Sequence, residues 1–154
     1  MIKFECLNSS QSQNCAVIFT SFNFRYSAIY ISSYIFTYDI FIDEMGANSD
    51  LVDHNARLEI DKFDEYCDHL LLIDNDKLEK NMGIVGVYRL LPDHKLPSFA
   101  NYYSHEEYDL KKLKTSGKKI MELGRSCVHK SYRGGTALTY LWAGLSKYVE
   151  YNRI

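Results

Sequence analysis

Between residues 119 and 151 the chain carries the arrangement that most restricts its fold. KIMELGRSCVH reads as a strand over Lys119–His129, KSYRGG as a tight turn, and Thr136–Tyr151 as a helix. In that helix Leu138, Leu141, Trp142, Leu145, Tyr148 and Val149 recur on one face, a stripe expected to pack on a sheet. A strand that hands over through glycines to such a helix commits the chain to a sheet with helices laid against it. Gly134 and Gly135 also remove Cβ atoms where backbone N–H groups would approach a ligand, so an anion site at the helix N-terminus is expected. The same glycines suit a plain strand-to-helix turn, and the pair alone does not separate the two.

The elements upstream agree with this plan. TYDIFIDEMGA predicts a helix over Thr37–Met45, with Gly46 as its left-handed stop. Asp61 is suited to cap a single turn, and His69–Asp74 is a dense apolar run that reads as a strand. After the turn formers of DNDKLEKNMG, Ile84–Leu91 is β-branched and aromatic, ends at Pro92, and is expected to form an antiparallel hairpin with the previous strand. Ser104 followed by Glu107 has the form of a capping box and predicts a helix over His105–Leu113. The order helix, strand, strand, short helix, strand, helix belongs to an α/β or α+β domain with a mixed, mostly antiparallel sheet flanked by helices.

Charge and length narrow the function classes. At 154 residues there is room for one domain, and a net charge of −2 offers no positive field for a nucleic acid. The four cysteines show no Cys-x-x-Cys or zinc-finger spacing and the histidines stand apart, so neither a structural metal nor a disulfide framework is expected. The uncharged run YSAIYISSYIFTY is too short and too polar to span a bilayer, and the first residues lack the pattern of an export signal. The first 38 residues carry only Lys3, Glu5 and Arg25 as charges, and residues 1–36 form an aromatic, Ser-rich segment readable as an edge strand or arm, or as a membrane-surface contact.

ELGRSCVHKSYRGGTALTYLWAGL, with FDEYCDHLLLID and GVYRLL upstream, resembles the ornithine-lipid N-acyltransferases, a hemolysin-like group of the GNAT superfamily. The blocks are similar, more distantly, to acyl-homoserine-lactone synthases. The resemblance covers about Thr37 to the last residue, so the expected division is residues 1–36 outside it and 37–154 as the N-terminal part of a GNAT-like acyltransferase domain. It implies transfer of a fatty acyl group from acyl carrier protein, or coenzyme A, to the amine of ornithine or a similar amino acid. The reaction would run in the cytoplasm, near the inner membrane surface. A complete domain of this kind continues with further strands after the glycine-turn helix, so an inactive remnant or an acyl-carrier-binding module is the alternative, and a membrane-active protein a weaker one.

By the resemblance, Glu122 and Arg125 belong to the reaction centre, where Glu122 would hold or deprotonate the acceptor amine and Arg125 would grip a carboxylate. Strand alternation would put them on opposite faces, but Gly124 between them suits a β-bulge that resets the register. A surface ion pair would explain the same residues. Backbone N–H groups of Arg133, Gly134, Gly135 and Thr136 would hold the phosphate of the acyl-phosphopantetheine donor, with Arg133 adding its charge. Asp68, His69 and Arg89 would shape the acceptor side, although His69 also fits a hydrogen-bonded core position. Cys127 and His129 share the spacing of one strand face, and Cys127 reads as a buried structural thiol rather than a nucleophile.

Overall fold

The computed structural model describes residues 2–5, 14–21, 27–48, 52–79 and 81–154, the first four and Ser21 by backbone alone. Of the aromatic N-terminal stretch, residues 1, 6–13 and 22–26 lie outside the described residues, as do residues 49–51 and Lys80 of the two polar turns. A five-stranded sheet organises the rest: β1 (Ile2–Glu5), β2 (Cys15–Ser21), β5 (Asp68–Asp74), β6 (Ile84–Pro92) and β7 (Met121–Val128), in the order β1-β2-β5-β6-β7. Every pairing in it is antiparallel. β3 (Val52–Asp53) and β4 (Leu58–Glu59) make a separate small ribbon.

Helices cover both faces of the sheet, which is why β2, β5 and β6 are apolar on both sides rather than alternating. On one face α3 (Ala137–Asn152) brings Leu141, Leu145 and Tyr148 against Val17, Phe19, Leu70, Leu72 and Leu90. On the other, α1 (Ala28–Tyr38) and the π-helical turn Asp39–Glu44 that continues it bring Phe36 and Ile40 against Ile18, Leu71, Ile73, Ile84 and Val87. Leu70, Leu71, Leu72, Leu90 and Leu141 are wholly enclosed, each contributing roughly 1.5–3 kcal/mol by leaving water.

Four sequence expectations meet a different local outcome. Cys15–Ser21 is an interior strand between β1 and β5, not an edge. The helix expected from Thr37 starts at Ala28, where the Ser27 side chain accepts from the Tyr30 amide, and it ends as expected beside Gly46 at φ 69°. Ser33 and Thr37 stay inside this buried helix because their hydroxyls donate to the carbonyls of Tyr30 and Tyr34. The helix expected over His105–Leu113 is instead a 3-10 turn, Tyr103–Glu106, and the one-turn α2 (Lys111–Lys114), because Ser104 gives its hydroxyl and amide to Glu122 and caps nothing.

The buried stripe of α3 is also rotated. Ala137, Leu141, Gly144, Leu145 and Tyr148 face the sheet, whereas Leu138 and Trp142 are half exposed. Small residues at 137 and 144 let the helix approach closely, and a Cβ on Gly144 would lie 2.5 Å from Val17 Cγ1. Packing distance therefore selects the face with the small residues over the one with the bulkiest.

Candidate functional site

The register of β7 against β6 slips in mid-strand. Leu91, Leu90 and Arg89 pair with Glu122, Leu123 and Gly124, but Val87 then pairs with Cys127, so Arg125 and Ser126 together oppose Tyr88. This is a β-bulge, with Arg125 in the left-handed region at φ 49°. Gly124 itself packs beside the Arg89 guanidinium, where a Cβ would meet Nε at an ordinary 3.6 Å. The slip brings Glu122 and Arg125 to one cavity of about 580 Å³, walled also by Phe41, Glu59, Asp61, Phe63, Arg89 and Ser104.

Inside the cavity the charges form a connected set. Arg89, buried on β6, donates from Nη1 to Asp61 Oδ2 at 2.8 Å and to Asp64 Oδ1 at 3.2 Å. Arg125 donates from Nη2 to the same Asp61 oxygen at 2.8 Å, and its Nη1 pairs with Glu59 Oε1. Burial works against the Arg89 charge, but Asp64 and Asp61 outweigh it and raise its pKa. Glu122 accepts from the amides of Tyr103 and Ser104, both at 2.9 Å, and from the Ser104 hydroxyl. Its carboxylate therefore also ties the loop after β6 to β7.

Asp68 and His69 sit on successive, opposite faces of β5. Asp68 turns toward α3, where Tyr148 donates to it at 2.6 Å and Lys95 at 2.5 Å, away from the cavity. His69 turns toward α1, enclosed by the rings of Tyr30 and Tyr34 at 5.2 and 5.1 Å, with Nε2 3.6 Å from Asp64. Arg89 is its cross-strand neighbour, so of the three expected acceptor-side residues Arg89 lines the cavity, His69 stands behind it, and Asp68 lies across the sheet.

At the far end of β7 the chain turns through Lys130–Tyr132 and Gly134, at φ 76°, into α3. Gly134, Gly135 and Thr136 are exposed, and among the described residues their amides have no acceptor. Arg133 is engaged elsewhere: Nε donates to Val128 O at 2.8 Å and both terminal nitrogens reach Glu44 on the π-helical turn.

Sequence reasoning passed over Glu59 and Asp64 as site residues and gave Asp61 only a capping role, which it does fill by accepting from the Phe63 amide. Carboxylates spaced E-x-D-x-x-D in a polar stretch look like a solvated loop. The signal that separates them is the single arginine inside the apolar run GVYRLL, which cannot be buried without anionic partners.

Comparison with known proteins adds the following. Residues 36–143 match the family model described as an acetyltransferase (GNAT) domain. An L-ornithine N(alpha)-acyltransferase of Rhodobacter capsulatus is 45% identical over 113 residues, which are 73% of this chain and 44% of that protein. One from Brucella abortus is 36% identical over 118 residues, covering 75% and 42%. The chain thus spans less than half the length of the curated relatives it matches. Among solved structures, a CoA-dependent acyl-homoserine lactone synthase, BjaI, with SAM and isopentyl-CoA aligns with a TM-score of 0.60 at 20% identity, over 87% of this chain and 60% of the other. The AHL synthase LasI aligns with a TM-score of 0.58 at 16% identity, over 93% and 70%. These last two likenesses bear on the fold alone.

Proposed function

The chain belongs to the acetyltransferase (GNAT) domain family, and from that premise we propose that it contributes the donor turn and an acceptor cavity to an N-acyltransferase acting on ornithine. The donor would be a fatty acyl thioester of acyl carrier protein or coenzyme A, and the product an Nα-acylornithine. The observation that carries this reading is that β7 joins two features. Its bulge opens the cavity with Glu122 and Arg125, and its end delivers the unoccupied amides of Gly134, Gly135 and Thr136. The relatives' name supports ornithine as the acceptor.

Direct attack of an amine on a thioester needs the two partners aligned, a proton accepted and an oxyanion met by donors. The phosphate of the pantetheine arm would lie on the amides of residues 134–136 at the positive end of α3. Arg133, whose amide donates to Lys130 O and whose guanidinium is held by Val128 O and Glu44, would brace the turn instead of meeting the phosphate. β7 is an edge strand among the described residues, so apart from Val128 O, which Arg133 Nε occupies, its outer edge is open to an arm that itself carries amide groups. The acyl carbon would then stand beside the bulge. There Glu122 would hold or deprotonate the acceptor amine and Arg125 would grip its carboxylate, while Arg89 and, behind it, His69 would support the acceptor side through the buried charge network; Asp68, bonded to Tyr148 and Lys95 on the other face, would instead fix β5 to α3.

No helix among the described residues is long and apolar enough to cross a membrane. We place the reaction at the inner membrane surface because the product would be amphiphilic.

The test is to incubate the purified chain with L-ornithine and a long-chain acyl carrier protein, and in parallel with the acyl-CoA, and to seek the acylated amino acid by mass spectrometry. Product from either donor supports the reading. Binding of the acyl carrier protein without product would reduce the chain to a carrier-binding module, and a folded sample that does neither would overturn the proposal.

A further inference from the structure

We propose that the segment between β6 and β7 docks on an anionic lipid surface, through the lysines of residues 111–119 and the apolar side chains exposed beside them. The proposal rests on the reading that the product is amphiphilic, and it names the face of the molecule that would meet the bilayer.

The segment is held from beneath. Leu96, Tyr102, Leu110 and Ile120 pack inward on Phe63, Cys67 and Leu91, and the Tyr102 hydroxyl donates to the Ile120 carbonyl at 3.4 Å. With the inner side filled, the outer side still carries large apolar groups: Phe99 is 84% exposed, and Tyr103, Tyr108 and Leu113 are each more than half exposed. A hydrogen bond from Lys114 Nζ to Asn101 Oδ1 at 2.7 Å brings residues 99–103 against α2, so Phe99, Tyr103 and Leu113 gather around one part of the surface. Apolar side chains exposed together, rather than singly, mark an interaction surface.

Charge selects the partner. KKLKTSGKK, residues 111–119, holds five lysines and no acid, in a chain whose net charge is −2. All nine residues are exposed. The lysines that form ion pairs among the described residues are Lys62, Lys77, Lys95 and Lys147, so none of these five is neutralised. Of the acids nearby, Glu106 faces Lys62 at 3.7 Å, and Asp109 accepts from the Lys111 amide at 2.9 Å. Unpaired ammonium groups would draw anionic headgroups, and the aromatic and leucine side chains between them would enter the interface.

Position favours lipid over an acidic protein such as the acyl carrier. The patch precedes the eight-residue β7 and the donor turn follows it, about 25 Å further along. A carrier protein that delivers its phosphate to the turn would dock at that far end. Tyr103 and Ser104 of the patch segment also wall the 580 Å³ cavity, so an acylated amino acid formed there would be released beside the bilayer.

The experiment sediments the purified chain with vesicles of equal parts phosphatidylcholine and phosphatidylglycerol, and with vesicles of phosphatidylcholine alone. The wild-type chain should bind the anionic vesicles about tenfold or more tighter, and lose that preference in about 0.5 M salt. Lys111→Gln, Lys112→Gln, Lys118→Gln and Lys119→Gln together should remove the preference, whereas Lys147→Gln on α3 should leave it unchanged. Phe99→Ser, with the lysines intact, should weaken binding to the anionic vesicles about threefold or more. A melting curve on each variant verifies its fold. No preference for anionic vesicles in the wild type, or a preference that survives the four substitutions, overturns the proposal, and unchanged binding by Phe99→Ser overturns its apolar part. If neither vesicle binds and the four substitutions instead weaken acyl carrier protein binding in surface plasmon resonance, the face takes an acidic protein and the lipid proposal falls. Acyl transfer to ornithine in vesicle-free buffer is read separately, so its failure overturns the acyltransferase reading while the vesicle result still decides the docking face.

Discussion

His69 on β5 stands directly opposite Arg89 on β6, and both reach Asp64, His69 Nε2 at 3.6 Å and Arg89 Nη1 at 3.2 Å. Burial alone would raise the Asp64 pKa, but the interaction with His69 and the Arg89 charge outweigh it and hold the carboxyl below its usual value of 3.8. A depressed carboxylate pKa stabilises the fold above the unfolded value, and that contribution is lost as pH falls through the folded value. Urea midpoints should therefore be level from about pH 7 to 5 and fall below about pH 4. Asp64→Asn should lower the midpoint at pH 7 and flatten the acid limb. An unchanged acid limb in the variant would show that Asp64 does not set the acid sensitivity.

Arg89 and Arg57 each pair with two aspartates, yet their substitutions should differ sharply. The side chain of Arg89 is 7% exposed between Asp61 and Asp64, so Arg89→Met strands buried carboxylates and should cost about 3–5 kcal/mol. Arg57, 47% exposed beside Asp39 and Asp43, is screened by water, and Arg57→Met should leave the urea midpoint within experimental scatter. Comparable losses would mean that burial does not govern the strength of these pairs.

What the sequence revealed depended on how many faces of each element are buried. β5 and β6 were legible because continuous apolar runs are bounded by Asp74 and Pro92, and their hairpin follows from the turn between them. β2 and α1 were not. Cys15–Ser21 has no polar alternation and, unlike β5 and β6, no acidic or proline residue to mark its ends, and Ala28–Tyr38 carries no charged residue, its exposed side being formed by Ala28 and Ile31, so neither period survives. At the site, Gly124 announced a bulge, and the residue in the left-handed region is its neighbour Arg125. The roles of Glu59 and Asp64 arise only when the β5–β6 hairpin and the 59–64 segment meet.

Gly144 sets the distance between α3 and the sheet. A Cβ there would lie 2.5 Å from Val17 Cγ1 and 3.1 Å from Leu70 Cδ1, both short, enclosed branches that cannot swing aside. Overpacking of this kind costs about 1–3 kcal/mol, against a gain of about 1 kcal/mol in helix propensity for Gly→Ala. Gly144→Ala should therefore lose roughly 1 kcal/mol, a drop of about 2–4 °C in Tm. A rise in Tm would show that the helix can lift off the sheet without penalty.

Cys127 lies in the core layer with Val87 and Ile18. Burial pushes its thiol up to about 12, and the positive charges of Arg133 and Arg125 offset this only in part. The native chain at pH 8 should leave Cys127 unmodified by iodoacetamide over hours, while denatured chain reacts fully, with peptide mass mapping identifying the site. Rapid native labelling at Cys127 would reopen a nucleophilic role for it.

The donor turn offers a substitution that separates binding from folding. Gly134 sits at φ 76°, so any side chain there strains the backbone and a loss of function would be ambiguous. Gly135 carries no such constraint: a Cβ on it would meet only the Tyr132 carbonyl oxygen, at an ordinary 3.7 Å. Gly135→Val should keep the wild-type Tm within about 2 °C but weaken binding of acyl carrier protein thioester or acyl-CoA about tenfold or more, because its branches would stand where a phosphate approaches the amides of residues 134–136. Surface plasmon resonance with immobilised donor and a melting curve on the same preparation read both quantities. Unchanged donor affinity in a folded variant would mean that the glycines serve only to turn the chain from β7 into α3.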